Sequence, residues 1–198
     1  MSLPGDLGIP EPAIGVVVFA HGSGSSRRSP RNVRVAERLQ AEGLATLLFD
    51  LLTEDEAGDR EKVFDIALLA RRLERTVGWL RADAGAGQLP MAFFGASTGA
   101  AAALVAAAHL GSGVATVVSR GGRPDLAGDA LEAVRAPTLL IVGGADLQVL
   151  EVNRQAQRHL RCETRLEIVP GATHLFEEPG SLERVSELAA AWFTDHVG

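Results

Sequence analysis

One cysteine, no tyrosine, two methionines and two tryptophans stand among the 198 residues, and the formal net charge is -6. Cys162, being alone, can close no internal disulfide and build no multi-cysteine zinc site; such a chain suits a reducing compartment, and a cytoplasmic location is expected. The shortage of positive charge removes the electrostatic footing for nucleic acid or an anionic membrane, both of which reward clustered Lys and Arg. No apolar run approaches the roughly 18 residues that a spanning helix needs. The opening MSLPGDLGIPEP has neither the basic start nor the apolar stretch of an export signal. Internal repeats, low-complexity tracts and linkers are missing as well. The lack of tyrosine goes with an abundance of alanine, arginine and leucine, a codon bias from which no function is read. What remains is a chain of 46% hydrophobic content, enough for a sizeable core without disulfides or metals. It reads as a single domain over 1–198, with 1–12, rich in Pro and Gly, as a loose lead-in. The expected partner is a small molecule, with no cofactor and no metal.

Short apolar runs alternate with longer amphipathic stretches, the pattern of repeated β-α units. The runs fall at 13–20, 44–51, 90–94, 114–119, 137–142 and 164–169. The first, AIGVVVFA, is apolar almost throughout, as in a strand buried on both faces of a parallel sheet. Helical patterns follow at about 31–42, 63–82, 97–110, 125–134, 149–160 and 181–196, the first ending before Gly43. The acidic stretch 54–59 reads as a solvated loop. The expected architecture is α/β, a mainly parallel, doubly wound sheet of about six strands with helices on both faces. Right-handed crossovers then bring every strand-to-helix turn to one edge of the sheet, where open α/β sheets build their sites.

Gly95-Ala96-Ser97-Thr98-Gly99 lies between the strand MAFF and an Ala-rich helix, which supplies both the G-x-S-x-G pattern and the strand-turn-helix context it requires. A strand that reverses into a helix this abruptly crowds its turn, so glycines flank a serine in a strained conformation. The serine is left at the start of the helix, where the dipole and free N–H groups favour a developing negative charge. A small-residue turn that merely permits close helix-sheet packing uses the same glycines. Of five histidines, only His174 lies in a turn after a late strand, which makes it the candidate base for Ser97. His21 also follows a strand, but within HGSG it reads as a loop anchor that lies near the substrate. His109, His159 and His196 read as surface or capping residues.

The orienting carboxylate is expected at Asp146, in the turn after the fifth strand, with Asp125 after the fourth strand as its competitor; either is also a common N-cap. The order Ser97, Asp146, His174 is that of α/β-hydrolases. Ser23 and Thr98 are the candidate main-chain donors of an oxyanion hole. The Gly/Ser-rich loop at 21–26 could instead cradle phosphate, although neither a P-loop lysine motif nor G-x-G-x-x-G is present. Arg120 and Arg123, with Arg27, Arg28 and Arg31, belong to the same edge. They suit a substrate carboxylate or phosphate, or else pair with Asp125 and helix ends.

Through VVVFAHGSGSS, FFGASTGAAAAL, VVSRGGRPDLA, LLIVGGAD and PGATHLFEE, the sequence resembles the dienelactone-hydrolase-like branch of the α/β-hydrolase superfamily, from about residue 13 to the C-terminus. The resemblance implies hydrolysis of an ester, thioester or lactone through an acyl-enzyme. Dienelactone hydrolases use a cysteine where Ser97 stands, which favours ester or thioester chemistry. Members of this group begin with a β-hairpin, of which LPGDLGIP is at most a remnant. Many relatives insert a helical lid after the fourth strand. Here only SRGGRPDLAGDA occupies that place, so an open, lid-less site is expected, suited to small or polymer-attached acyl groups. A non-catalytic binding protein on this fold and an acyltransferase remain the rival readings.

Overall fold

The computed structural model describes residues 2–82 and 85–197. Its centre is a seven-stranded sheet in the order β1-β3-β2-β4-β5-β6-β7. The strands are β1 (Gly5–Gly8), β2 (Gly15–Ala20), β3 (Leu44–Phe49), β4 (Met91–Ala96), β5 (Thr116–Arg120), β6 (Thr138–Gly143) and β7 (Thr164–Val169). All pairings are parallel except that of β1 with β3. The expected six strands are all present. The seventh, β1, corrects the expectation of a loose lead-in. GDLG has little strand propensity of its own, but its ladder to β3 sets Leu7 opposite Leu47, and Asp6 pairs with Arg27 at 3.2 Å.

β2 through β6 are buried along their whole length, as parallel strands covered on both faces must be. On one face α4 (Ile66–Arg81) and α5 (Thr98–Leu110) pack on Val16, Val18, Phe93 and Val117. On the other, α1 (Pro30–Ala41) and α7 (Ser181–Val197) cover Val17, Phe19, Phe94 and Val118. Helix α6 (Leu147–His159) joins β6 to β7. α5 is buried almost all round, from Thr98 through Leu104 and again at Ala106 and Ala107. Methyl side chains let it sit close against the sheet.

The acidic stretch is solvated, as expected, but it is not a loop. It folds as the short helices α2 (Glu54–Ala57) and α3 (Arg60–Val63), because Thr53 and Glu56 cap one another reciprocally at the start of α2. The pattern expected at 63–82 divides at Asp65, whose carboxylate accepts from Leu68 N–H at 2.8 Å and so begins α4 there. Residues 124–133 form tighter 3-10 turns rather than an α-helix, broken at Gly128 with φ 53°.

Sequence order reverses direction in the sheet between β2 and β4, since β3 lies on one side of β2 and β4 on the other. The loops leaving these two neighbours therefore diverge and open a crevice at their C-terminal ends. Gly99 sits on its floor: a Cβ there would lie 2.5 Å from His21 O and still closer to Ala20 O. Gly99→Ala should therefore destabilise by about 3 kcal/mol in urea denaturation. Gly78→Ala, where a Cβ meets nothing within 4 Å in mid-helix, should stabilise by about 0.5–1 kcal/mol.

Candidate active site

Ser97 lies between β4 and α5 with φ 51° and ψ -120°, one of two non-glycine residues with positive φ among those described. This conformation is strained for an L-residue and persists only where its surroundings over-determine it. They do so here. Ser97 N–H donates to Arg120 O at 3.2 Å, while Ser97 O accepts from Ala100 N at 3.1 Å and Arg123 N at 3.1 Å. The flanking glycines answer to crowding. A Cβ on Gly95 would overlap Ala100 Cα and lie 2.8 Å from its nitrogen, and Gly99 is closed in by the carbonyls described above.

The loop after β2 packs directly on this turn. A Cβ on Gly22 would come within 3.0 Å of Ser97 Cβ. Thr98 opens α5, where its N–H has no acceptor within the helix. Ser23 N–H differs: it donates to Thr98 Oγ1 at 3.0 Å. The two donors expected to flank an oxyanion are thus neighbours, and a hydroxyl already sits against one of them.

His174 and Asp146 meet, with Nδ1 2.7 Å from Asp146 Oδ2. Asp146 stands at the N-cap position of α6, yet its side chain caps nothing; its carboxylate goes to the imidazole instead. Because a carboxylate only accepts, Nδ1 carries the hydrogen, and Nε2 is left as the basic nitrogen. Gly143 permits the approach of the two loops. A Cβ on it would lie 2.7 Å from Thr173 O, and Ala145 N–H donates to Ala172 O at 2.9 Å. The imidazole lies beside the exit of β5, its Cε1 3.6 Å from where Gly121 would carry a Cβ. Since the preceding residue, Arg120, holds Ser97 N–H, serine and histidine flank consecutive residues of one strand end.

Asp125 is elsewhere, bound bidentately by Arg123 at 2.8 and 2.7 Å. That pairing takes up Nε and Nη2 of Arg123, the alternative in which this arginine serves Asp125. His21 is held on both sides. Its ring is buried, Nδ1 lies 3.0 Å from Gly22 O, and Nε2 accepts from Leu51 N–H at 3.0 Å. Both nitrogens hold main chain, so His21 anchors the loop, and it does so as one of the residues lining the cleft beside the turn. His109 is held by Glu74 at 2.7 Å and His196 by Trp192 O at 2.7 Å. Arg120 is 7% exposed and has no hydrogen bond or ion pair from its guanidinium among the described residues. An open cleft of about 1190 Å³ adjoins the site, lined among others by Gly22, Ser23, Thr98, Arg27 and Arg31.

Sequence reading missed Phe176, which is buried at φ 57° in the histidine loop and lies under Arg120, 5.9 Å from ring centroid to Cζ. Only the tight spacing of HLFEE hinted at it. It also missed the part of Gly143, for which the doubled glycine of VGGAD was the available signal.

Residues 13–191 match a family model described as an alpha/beta hydrolase domain. Two Mycobacterium tuberculosis proteins, from strains CDC 1551 / Oshkosh and ATCC 25618 / H37Rv, are each 61% identical over 193 residues and carry the name "putative phosphoribosyl transferase". The match takes in 98% of this chain but 44% of each of theirs, so the chain spans less than half of their length. The crystal structure of a dienelactone hydrolase from Anabaena variabilis is 55% identical with a TM-score of 0.97, covering 99% of this chain and 93% of that one. Est1E from Butyrivibrio proteoclasticus, solved with ferulic acid, has a TM-score of 0.83 at 17% identity over 98% and 95% of the two chains, a likeness of fold.

Burial of His21 holds its pKa below that of an ordinary imidazole, outweighing the bond to Gly22 O and the attraction of Asp50, both of which raise it. A base whose folded pKa is depressed contributes stability in full above the unfolded value and loses it as pH falls below that value. Exchange of the Leu51 amide should therefore quicken as pH drops from 7 toward 5 relative to the intrinsic rate. In His21→Gln that relative change should flatten.

Proposed function

Because the chain belongs to the alpha/beta hydrolase domain family, we propose that it is a serine hydrolase that cleaves an ester, thioester or lactone bond of a small substrate through an acyl-enzyme. One observation carries the reading: a histidine bonded to a carboxylate at 2.7 Å lies one residue along β5 from the point where Ser97 is pinned. A part-buried pair of this kind has no comparable purpose in a small-residue packing turn.

In the proposed mechanism, Nε2 of His174 takes the proton of Ser97 Oγ as the oxygen attacks the carbonyl carbon. Asp146 holds the ring in the required tautomer and stabilises the imidazolium that forms. Negative charge moves to the carbonyl oxygen, which settles against Thr98 N–H at the positive end of α5 and against Ser23 N–H once Thr98 Oγ1 shares or yields that donor. Collapse of the tetrahedral species expels the leaving group, protonated by His174. Water then attacks the acyl-enzyme with the same histidine as base, and Ser97 is regenerated.

The residues between β5 and β6 form only the short 3-10 turns at Pro124–Ala133, which leaves the cleft open. An open cleft lined by polar loops favours short or externally attached acyl groups over long lipid chains, whose burial needs an enclosed apolar pocket. The dienelactone hydrolase of Anabaena variabilis supports the same class of bond. In our reading the transferase name of the mycobacterial relatives refers to the larger part of them that this chain does not span.

The test is turnover of p-nitrophenyl acetate together with labelling by a fluorophosphonate. Ser97→Ala should abolish labelling and lower kcat by about 10,000-fold, with His174→Ala close to it. Asp146→Asn, which keeps the shape and supplies the wrong hydrogen-bonding partner, should lower kcat by about 1,000-fold or more. Labelling that survives in Ser97→Ala removes this residue as the nucleophile.

A further inference from the structure

In the mechanism above, the tetrahedral carbon bonded to Ser97 Oγ sends each of its other substituents in a different direction. The oxyanion points to the Ser23 and Thr98 amides, between β2 and β4. The leaving group points to His174, because Nε2 must hand a proton to it. As the bond from the carbonyl carbon to the leaving oxygen or sulphur breaks, that atom takes the proton Nε2 received from Ser97 and departs as an alcohol or thiol. Water later supplies the hydroxyl of the acid product. In the sheet, β2 and β3 lie on one side of β4, and β5, β6 and β7 on the other. The cleft is lined from the loops after β2 and β3, whereas His174 follows β7. The leaving group therefore departs over the β5–β7 half of the edge, away from the cleft.

The two halves differ in what they expose. Leu126, Leu147, Ile168 and Leu175 are exposed on the β5–β7 half, Leu147 at 71%, while no exposed large hydrophobic residue stands among the described residues that line the cleft. These four adjoin the reacting groups. Leu147 follows Asp146 and Leu175 follows His174, so they belong to two loops joined by the 2.7 Å bond between carboxylate and imidazole. Ile168 borders the same loops, its Cγ2 3.3 Å from where Gly144 would carry a Cβ. Leu126 N–H donates to Arg123 O at 3.1 Å, and Arg123 N–H donates to Ser97 O at 3.1 Å. Single exposed leucines need no explanation, but a group of them around a reactive centre marks a contact surface. The polar side chains nearby in the chain are engaged: Arg123 with Asp125, Thr173 with Glu178 at 2.6 Å, and Glu177 with Arg31. What this half offers a ligand is apolar.

We propose that Leu147 and Leu175, bounded by Leu126, form an open apolar shelf that receives the leaving group, so that the substrate is an ester or thioester of a short acid with an apolar alcohol or thiol. The inference rests on Ser97 and His174 acting as proposed above. A shelf covers an alkyl or aryl group on one side only, and the released alcohol or thiol passes directly into solvent. One-sided burial of a methylene strengthens binding about twofold, near half the free energy of full burial.

Hexyl acetate and ethyl hexanoate test the shelf, because these isomers have leaving groups of similar basicity and differ in which side of the carbonyl carries the chain. Hexyl acetate should exceed both ethyl hexanoate and ethyl acetate by about tenfold in kcat/KM, the sum of about twofold for each added methylene. Leu147→Gln, at an exposed side chain, should lower the ratio of hexyl to ethyl acetate by about threefold or more, and addition of Leu175→Gln should bring it near unity. If the double variant fails to fold, Leu147→Gln decides alone. Equal values for the two isomers, a faster ethyl hexanoate, or a hexyl preference unchanged in Leu147→Gln overturns the shelf. Equal values with a molecular mass that rises with concentration, and does not rise in Leu147→Gln, would assign the leucines to an interface between two copies instead. Fluorophosphonate labelling keeps the two readings apart. Labelling that disappears in Ser97→Ala, with no isomer preference, sinks the shelf alone, whereas labelling that persists in Ser97→Ala removes the nucleophile and the shelf with it.

Discussion

The abrupt reversal of the chain from β4 into α5 is the constraint around which the site is arranged. A strand in the middle of a parallel sheet must leave its C-terminal edge, turn, and pack a helix back across the same sheet, and here it does so within the three residues around Ser97. The room for that turn comes from what is absent: side chains at Gly95 and Gly99 would collide with Ala100 and with the carbonyls of Ala20 and His21. The strain at Ser97, φ 51°, is held by main-chain bonds to Arg120 and Arg123. The exit of β5 is thus part of the turn. Any shift of that exit is felt by the serine and, through Gly121, by the imidazole.

Each remaining feature of the site reaches the same edge from a different strand. β2 delivers the loop that His21 ties to Leu51 and that touches Ser97 at Gly22. β6 delivers Asp146, and β7 delivers His174 on a loop that approaches closely because Gly143 has no side chain. Charges of both signs meet along this edge: Arg27, Arg28 and Arg31 share the cleft with Asp50, Glu54 and Asp55, and the carboxylate of Asp146 is engaged by the imidazole.

Much of this was legible in the amino-acid sequence because strand, turn and helix each leave a local signature. AIGVVVFA and the alanine run after GASTG carry both the sheet and the site's position at its edge. The strand GDLG was not legible, since two glycines in four residues argue against a strand and the ladder to β3 overrides them. Strand position favours Asp146 over Asp125, but the pairing itself is not local information. Asp146 stands at a helix N-cap and Asp125 inside the first 3-10 turn, and only the approach of the β6 and β7 loops brings one to an imidazole while Arg123 claims the other. The bond from Ser23 N–H to the Thr98 hydroxyl and the unpartnered state of Arg120 are long-range facts of the same kind. No local pattern encodes them.

Helix α5 has a further consequence. With methyl groups along most of its buried surface, it lies close over Val16, Val18, Phe93 and Val117, with little slack between the layers. It acts as a stiff strut carrying the serine at its tip. Ser97 is bonded to the exit of β5 at the same time, so a slip of this helix along the sheet would drag against the neighbouring strand as well as its own.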